Sequence, residues 1–558
     1  MSSTTSFDSS ADESNTPEPD FLHYSSSSPI DTRRHCSVFS EPKSACYSPS
    51  ITVNSRRHGS VFSEPTSTCY SATDIESYIK RSQPVDNGLG SRFSFSLDVQ
   101  VESEKDQISK DIEQAPNVSI KRIAKPMEGL SRINQKFSPY KKLFSIVLLG
   151  NLIGMTIFLN RNRDNVPLST IITASSSNIL VAILVRQEYL VNSVYRLCWY
   201  TPHSWPLWAR ILITKVYEHG GIHSGAAVAG TIWLLLLVVL VIQDFVQKSY
   251  RSVPVLTVCL ILLLLLTGIL LSSIPTFRSK RHNAFERTHR FAGWTATAMF
   301  WIAIFVFAHD SAISETRHYR DVLIHTPSFW ILLLITIYLV LPWLRLRKQA
   351  FTAYMLSDRS IRLDFEAKYP PVAGIGISES PLMEWHPFAT FPNPTGGKDC
   401  HSIIISHTGD WTRRIIDNPK PQYWLKGIPK IGLLSLALVY RSVLLVTTGS
   451  GIGPCLSLLM TDSPRRSNTK CRLVWSTPNP VLTYGSDLYH SVLRADPEAT
   501  IIDTKLSGRP DLVDIAFTEW SSSDIEAVFV ISNKEVTRMI VDELNGKGVP
   551  AFGPIWDS

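Results

Sequence analysis

Cysteine is scarce, with eight in 558 residues. The cysteines are scattered, and no pair has CxxC or any other zinc-ligand spacing. That argues against a zinc module and a disulfide framework, and it fits a reducing compartment for the soluble parts. The first residues, MSSTTSFDSSADESNTPEPD, contain no apolar h-region. No cleavable signal peptide is read there, so insertion falls to the first apolar helix. Net charge is only +7. Lys and Arg crowd the cytoplasmic helix ends of membrane proteins, so this excess calls for no nucleic-acid partner. No inverted repeat and no Gly/Pro-broken helix pair is found, which leaves a transporter with little support.

Mean hydropathy is slightly positive, +0.05, although the first stretch is very polar. The apolar residues must be concentrated elsewhere, as in a membrane protein. Residues 1–125 are rich in Ser, Thr, Pro and charge, and are read as a disordered regulatory tail. The tail holds a short repeat, RRHCSVFSEPKSACYS from Arg33 and RRHGSVFSEPTSTCYS from Arg56. Each copy places an Arg three residues before a Ser, Arg34 before Ser37 and Arg57 before Ser60, a setting for a protein kinase partner. A duplicated, inert segment is the plainer reading.

Apolar runs occupy 143–159, 168–185, 221–242, 253–274, 291–307 and 329–344. Most approach the length that spans about 30 Å of hydrocarbon. The spacing predicts an α-helical transmembrane bundle of about six helices over 140–345. The second run carries Ser175–Ser177 and Asn178, expected to face the bundle interior. Basic clusters at 141–142, 186–215, 278–290 and 345–348 fall on one side of six helices. That side is cytosolic by the positive-inside tendency, with both termini there, and the lipid bilayer is the first partner.

Beyond Lys348 the pattern changes. AFTAYML, IRLDFEA, HSIIISH and SVLLVTTG read as strands between Gly/Pro turns. From Ser442 strands alternate with helical stretches, as in an α/β unit with a parallel sheet. The expected division is an antiparallel β-barrel over 349–440 and a nucleotide-binding α/β domain over 441–558. SVLLVTTGSGIGPCLSLL carries the strongest motif: a buried strand, then Gly449-Ser450-Gly451-Ile452-Gly453-Pro454, then a helix. Glycines admit a pyrophosphate to the backbone, and the helix N-terminus supplies free N–H groups.

Upstream stand Glu384-Trp385-His386-Pro387-Phe388-Ala389-Thr390 and Gly409-Asp410-Trp411-Thr412; downstream stands Gly508-Arg509-Pro510. In this order the motifs resemble the dehydrogenase region of NADPH oxidases and ferric reductases, over roughly 140–558. EWHPFATFPN and the terminal GPIWDS are most similar to fungal Tmp-type integral membrane flavoproteins. The resemblance implies a cytosolic ferredoxin-reductase-like module with FAD and NAD(P)H as cofactors. It places His386, Pro387, Phe388 and Thr390 along the isoalloxazine and ribityl chain. It sets Gly409 and Trp411 near the FAD diphosphate and adenine. Gly449, Gly451, Gly453 and Pro454 would hold the pyridine nucleotide, Arg509 its ribose or 2′-phosphate, and Trp556 would stack over the flavin.

Three departures qualify the resemblance. The family's Cys-Gly after the last core strand is replaced by Ile531-Ser532-Asn533. Its Arg before GDWT is Ser406, with Arg413 and Arg414 as candidate substitutes. Its two haems use two His pairs on the third and fifth helices. The outer positions here are Trp233, Leu237, Ile302 and Ala303. Only an inner haem, from His219 or His223 facing His289, remains as a metal candidate. Interfacial histidines are preferred, because an inner haem alone leaves no conducting path. The expected function is a membrane flavoprotein oxidoreductase, located in the plasma membrane, that oxidises cytosolic NAD(P)H without a complete haem wire, in redox-linked or developmental signalling. The alternative is a non-enzymatic nucleotide-sensing regulator.

Overall fold

A computed structural model describes residues 138–247, 252–397 and 399–555. The expected tail at 1–125, with Ser37 and Ser60, and the expected stacking residue Trp556 lie outside the described residues.

The helical region contains α1 (Pro139–Arg161), α2 (Leu168–Leu184), α3 (Glu188–Trp199), α4 (Leu207–Thr214), α5 (Gly220–Val246), α6 (Val253–Ser272), α7 (His282–Ser314) and α8 (Pro327–Val340). Proline in the first turn and a Ser138 cap start α1; Ser252 and Pro254 do the same for α6. Among the described residues five helices are long and apolar enough to cross a membrane; a sixth span is reached if α2 and α3, bent by 62°, count as one. The run expected at 291–307 belongs to a longer helix, α7, of 33 residues.

Helices α1 and α5 touch backbone to backbone. A Cβ on Gly225 would stand 2.9 Å from the Phe144 carbonyl oxygen, so glycine permits the contact. The polar residues of α2 do face inward. Ser175 donates to the Gly230 carbonyl at 2.9 Å, and the Asn178 amide donates to Asn151 Oδ1 at 2.8 Å. Trp233 Nε1 donates to the same Asn151 oxygen at 3.0 Å. Trp233 and Leu237, which the resemblance matched to the family's outer haem positions, are buried in the apolar bundle core together with Ala303.

The stretch between the second and third apolar runs reads in sequence as a basic loop. It folds instead as α3 and α4, which pack against residues 428–440. Tyr195 and Cys198 enter one core with Ile431, Leu434 and Tyr440. Glu188 accepts from the Ile428 amide at 2.8 Å. Asn192 donates to the Pro429 carbonyl and accepts from the Ile431 amide, both at 2.9 Å. The guanidinium of Arg210, 3 % exposed, donates to both Glu526 oxygens at 2.6 and 2.8 Å.

The barrel region has two antiparallel sheets. One orders β1 (Arg347–Ala350), β8 (Gln422–Leu425), β4 (Ala373–Ser378) and β5 (His386–Ala389), with β9 (Lys430–Ile431) also on β4. The other orders β2 (Thr352–Ser357), β3 (Ser360–Glu366), β7 (Cys400–Ser406) and β6 (Phe391–Pro392). Alternate residues of β3 and β7 fill a core of Ile361, Leu363, Ile403 and Ile405 with Trp411 and Tyr423. The last unit is a parallel sheet in the order β12 (Thr500–Asp503), β11 (Lys470–Thr477), β10 (Ser442–Thr448), β13 (Ala527–Ile531) and β14 (Ala551–Phe552). Strand order reverses between β10 and β13, so the ligand crevice is expected at their carboxyl ends. Barrel followed by α/β sheet is the ferredoxin-reductase-type order expected from sequence. The two cores are not separate, since Phe391 and Ile404 of the barrel join the cluster around β10.

Candidate flavin and nucleotide site

The glycine turn stands at the switch point. Gly449 adopts φ +54°, and its carbonyl accepts from Trp475 Nε1 at 3.0 Å. Gly449–Gly451 then feed the helix Ile452–Leu459; the Ile452 amide turns back to the Gly449 and Ser450 carbonyls, and Pro454 brings no N–H to the first turn. Across the switch point Thr448 Oγ1 hydrogen bonds Ser532 Oγ, in the Ile531-Ser532 pair that stands where the resemblance expects Cys-Gly. The Ser532 amide donates to Thr537 Oγ1 of the following helix at 3.1 Å, and that hydroxyl donates back to the Ser532 carbonyl at 2.9 Å.

Not every glycine faces a ligand. A Cβ on Gly451 would stand 2.4 Å from Thr447 Oγ1 and 2.6 Å from the Ile531 carbonyl oxygen. Gly451 therefore seats the turn on the sheet. Gly453 faces the barrel, its Cβ position 3.7 Å from Ile404 and Phe391. Of the expected nucleotide residues, Gly449 and the partly exposed Pro454 remain at the crevice. Arg509 is exposed in the loop after β12, beside Gly508 at φ +75°.

On the barrel, His386 opens β5, paired with Ile377 of β4. Its ring stacks on Trp411 with centroids 3.9 Å apart and planes at 21°. Phe388 lies roughly parallel to the same indole at 6.1 Å. The resemblance places His386 and Trp411 at opposite ends of a dinucleotide; the structure brings them into contact, with Trp411 buried in the barrel core. His386 Nε2 is buried with no hydrogen-bond partner. Burial lowers the His386 pKa below the usual histidine value, only partly opposed by Glu384. The ring is therefore neutral at pH 7 and retains an unmet polar atom.

Thr390, expected on the ribityl chain, is 3 % exposed. Its amide and Oγ1 both donate to the Ala373 carbonyl, at 2.9 and 3.0 Å. Its role is to close the barrel. Gly409 caps the helix Asp410–Asp417, and Thr412 Oγ1 accepts from the Thr408 and Gly409 amides at 2.9 and 3.0 Å. No atom lies within 4 Å of a Cβ built on Gly409, so that helix end is open. The proposed arginine substitutes point to other partners. Arg414 pairs with Glu384 at 3.3 Å and Arg413 with Asp417 at 3.5 Å. The residue that sequence reasoning missed is the buried Tyr484, whose ring lies 5.5 Å from that of Trp475 and whose hydroxyl is 3.3 Å from where a Cβ on Gly449 would stand.

An orphaned imidazole nitrogen, an open helix end at Gly409 and a glycine turn at the switch point suit a flavin dinucleotide on the barrel and a pyridine nucleotide on the sheet. Of the haem candidates, His223 and His289 lie side by side with ring centroids at 6.2 Å. His223 Nδ1 contacts the Ala182 carbonyl at 2.8 Å. His219 instead turns to the Val216 carbonyl. Among the described residues no group of three or more His, Cys, Asp or Glu is placed to hold a metal ion.

The fold and crevice define a two-domain module of barrel and doubly wound sheet, joined to apolar helices. Residues 433–558 match a family described as the C-terminal domain of adenylate-forming reductase 03009. The chain is 37% identical over 428 residues to adenylate-forming reductase 06235 of Coprinopsis cinerea, covering 76% of this chain and 41% of that protein. It is 36% identical over 427 residues to adenylate-forming reductase 03009 of the same fungus, with the same coverage. The chain thus spans about 41% of the length of these curated relatives. The matched lengths exceed the barrel and α/β domains together, so the likeness runs into the helices. Among solved structures, a ferredoxin NADP+ reductase from Neisseria gonorrhoeae with bound FAD and NADP overlaps 38% of this chain and 99% of its own, at 13% identity and a TM-score of 0.30.

Proposed function

We propose that the chain is a membrane-bound, NAD(P)H-dependent flavin oxidoreductase of ferric-reductase-like architecture, similar in type to the fungal Tmp flavoproteins. The observation that carries this reading is the pairing of two half-sites on one rigid frame. The Gly449 turn at the switch point leads into a helix whose Gly453 rests on barrel residues Phe391 and Ile404. His386 stands on the same barrel with an unmet buried nitrogen. A flavin supplies the redox chemistry there, and reduced pyridine nucleotide supplies the electrons. This chain's residues would bind and align: Gly409 leaves a helix end open to phosphate, Gly449 shapes the turn at the switch point, His386 would meet the flavin, and α3–α4 fix the module against the helices. The Coprinopsis relatives carry reductase names, which supports reductase chemistry here. The membrane setting rests on five apolar helices, with the module on the cytosolic face. Signalling as the output and a kinase acting on the tail are parts of the same proposal.

FAD is expected to co-purify with the full chain, and His386→Ala is expected to lose it. His386→Ala is the diagnostic variant because Thr390→Ala also removes a barrel hydrogen bond. Stoichiometric flavin in folded His386→Ala protein would place the site elsewhere. The second reading, a nucleotide sensor, draws on Ile531-Ser532 in place of the family's Cys-Gly, with the Ser532 hydroxyl engaged by Thr448.

A further inference from the structure

The segment between β4 and β5, residues 379–385, leads directly into His386 and pairs with no strand among the described residues. It exposes Leu382 and Met383, 56% and 57% accessible. The carbonyls of both are held from outside the barrel: Arg290 of α7 donates to them at 2.9 and 2.8 Å. Arg290 sits near the start of one of the five apolar helices, next to a partly exposed apolar stretch that begins at Phe291. The segment is therefore fixed at the depth where that helix leaves its polar end.

Aromatic and basic residues mark the same depth. One helical turn beyond Arg290, Trp294 meets Trp343 edge-on at 5.5 Å. Lys426 is placed over Trp343 at 4.6 Å and over Trp385 at 4.7 Å. Trp385 Nε1 donates back to the Pro381 carbonyl at 3.1 Å, folding the segment into a hairpin-like loop with Leu382 and Met383 at its tip. Tryptophans with Lys and Arg at the end of apolar helices form an interfacial belt, where amphipathic rings and long cations sit at headgroup level. Two adjacent exposed apolar side chains at that level are poorly placed in water and well placed in the acyl boundary.

We propose that the loop at 379–385 is a membrane-contacting element of the barrel, with Leu382 and Met383 entering the lipid interface beside Arg290. The partner is the lipid bilayer surface. Trp385 and Lys426 form the base of the element, and the acidic side chains Glu379 and Glu384 stay on the barrel side, paired with Lys420 and Arg414. The flavin half-site then begins at the membrane boundary, one residue beyond this belt. This inference rests on the membrane reading proposed above, and the test separates the two.

The full chain is reconstituted in vesicles of phosphatidylcholine and phosphatidylserine. A nitroxide is attached through a genetically encoded noncanonical side chain, which leaves the native cysteines alone. Three positions are compared: Met383, Leu264 of α6 and Leu506 of the α/β domain; the last two are 74% and 86% exposed. Relaxation by dissolved oxygen, which concentrates in lipid, is compared with relaxation by a polar nickel chelate. The ratio at 383 is expected several-fold above that at 506 and below that at 264. A ratio at 383 equal to that at 506, with 264 still oxygen-favoured, overturns the loop contact alone. Equal ratios at all three positions overturn the membrane reading and this inference with it.

Discussion

Replacing Glu526 by Gln removes the charge that faces a guanidinium enclosed by protein. Arg210 has a side chain only 4% exposed and that of Glu526 is 18% exposed. The remaining partners of Arg210 are neutral: Nε donates to the Trp205 carbonyl at 3.0 Å. The Glu526 carboxylate also accepts from the Arg441 amide at 2.7 Å, at the entrance to β10. Leaving a buried charge without its counter-charge costs about 3–5 kcal/mol, and a glutamine that still accepts one hydrogen bond falls at the lower end, about 3 kcal/mol. At about 3 °C per kcal/mol for a unit of this size, the melting temperature falls by about 9 °C. The control is Arg472–Glu498, an ion pair whose Glu498 side chain is 74% exposed. Glu498→Gln is expected to cost under about 1 kcal/mol. Thermal unfolding of the detergent-solubilised full chain, followed by tryptophan fluorescence, measures both. Adding Arg210→Met to Glu526→Gln should recover part of the loss. Equal shifts for Glu526→Gln and Glu498→Gln would refute the claim that this pair anchors α4 to the α/β domain. The pH dependence follows. Burial alone would raise the Glu526 pKa, but the hydrogen bonds and charges of Arg210 and Arg441 outweigh it and hold the carboxyl below its ordinary value. The stabilisation is complete above the ordinary carboxylate range and is lost as pH falls through the depressed folded value.

Gly451→Ala is expected to destabilise the α/β domain by about 1–3 kcal/mol, because its Cβ meets Thr447 and the Ile531 carbonyl. Gly453→Ala should leave the melting temperature within about 1 °C; the reverse order would contradict the seating of the turn. Thr390→Val should lower barrel stability by about 1 kcal/mol through the lost hydroxyl bond, measured by urea unfolding, with m unchanged. The side chains of Trp233, Leu237, Ile302 and Ala303 offer no iron ligand, so a haemochrome assay should find no more than one haem per chain; two would contradict the helix assignment. His386 titrates below the usual histidine range. Flavin content is therefore expected to be flat between about pH 6.5 and 8.5, and a midpoint inside that window would contradict its burial.

Much of the fold was legible because its signals are local. The strand SVLLVTTG and the helix after it need only a buried run and a glycine turn, and they appear as β10 and Ile452–Leu459. The inward face of α2 followed from polar residues in an apolar run, and Asn178 does bond Asn151. What stayed hidden depends on distant partners. Residues 188–214 read as a basic loop because Arg196, Arg210 and Lys215 dominate that stretch and its edge. Their folding depends on β9, Tyr440 and Glu526, more than 200 positions away. An apolar spacing at Tyr195 and Cys198 was the available signal. Residue roles failed for the same reason. Gly451, Thr390 and Trp411 belong to the motifs that marked the site, yet each is oriented by the sheet or the barrel core behind it.

The most direct measurement is the absorption spectrum of the purified full chain in detergent, before and after anaerobic addition of NADH or NADPH. A flavin spectrum near one equivalent per chain is expected, bleaching within minutes with one of the two nucleotides. No bleaching is expected in His386→Ala protein that remains folded. A flavin that binds but stays oxidised while nucleotide binds tightly would contradict the oxidoreductase and favour the sensor. A folded chain with no flavin at all would contradict both half-sites as described.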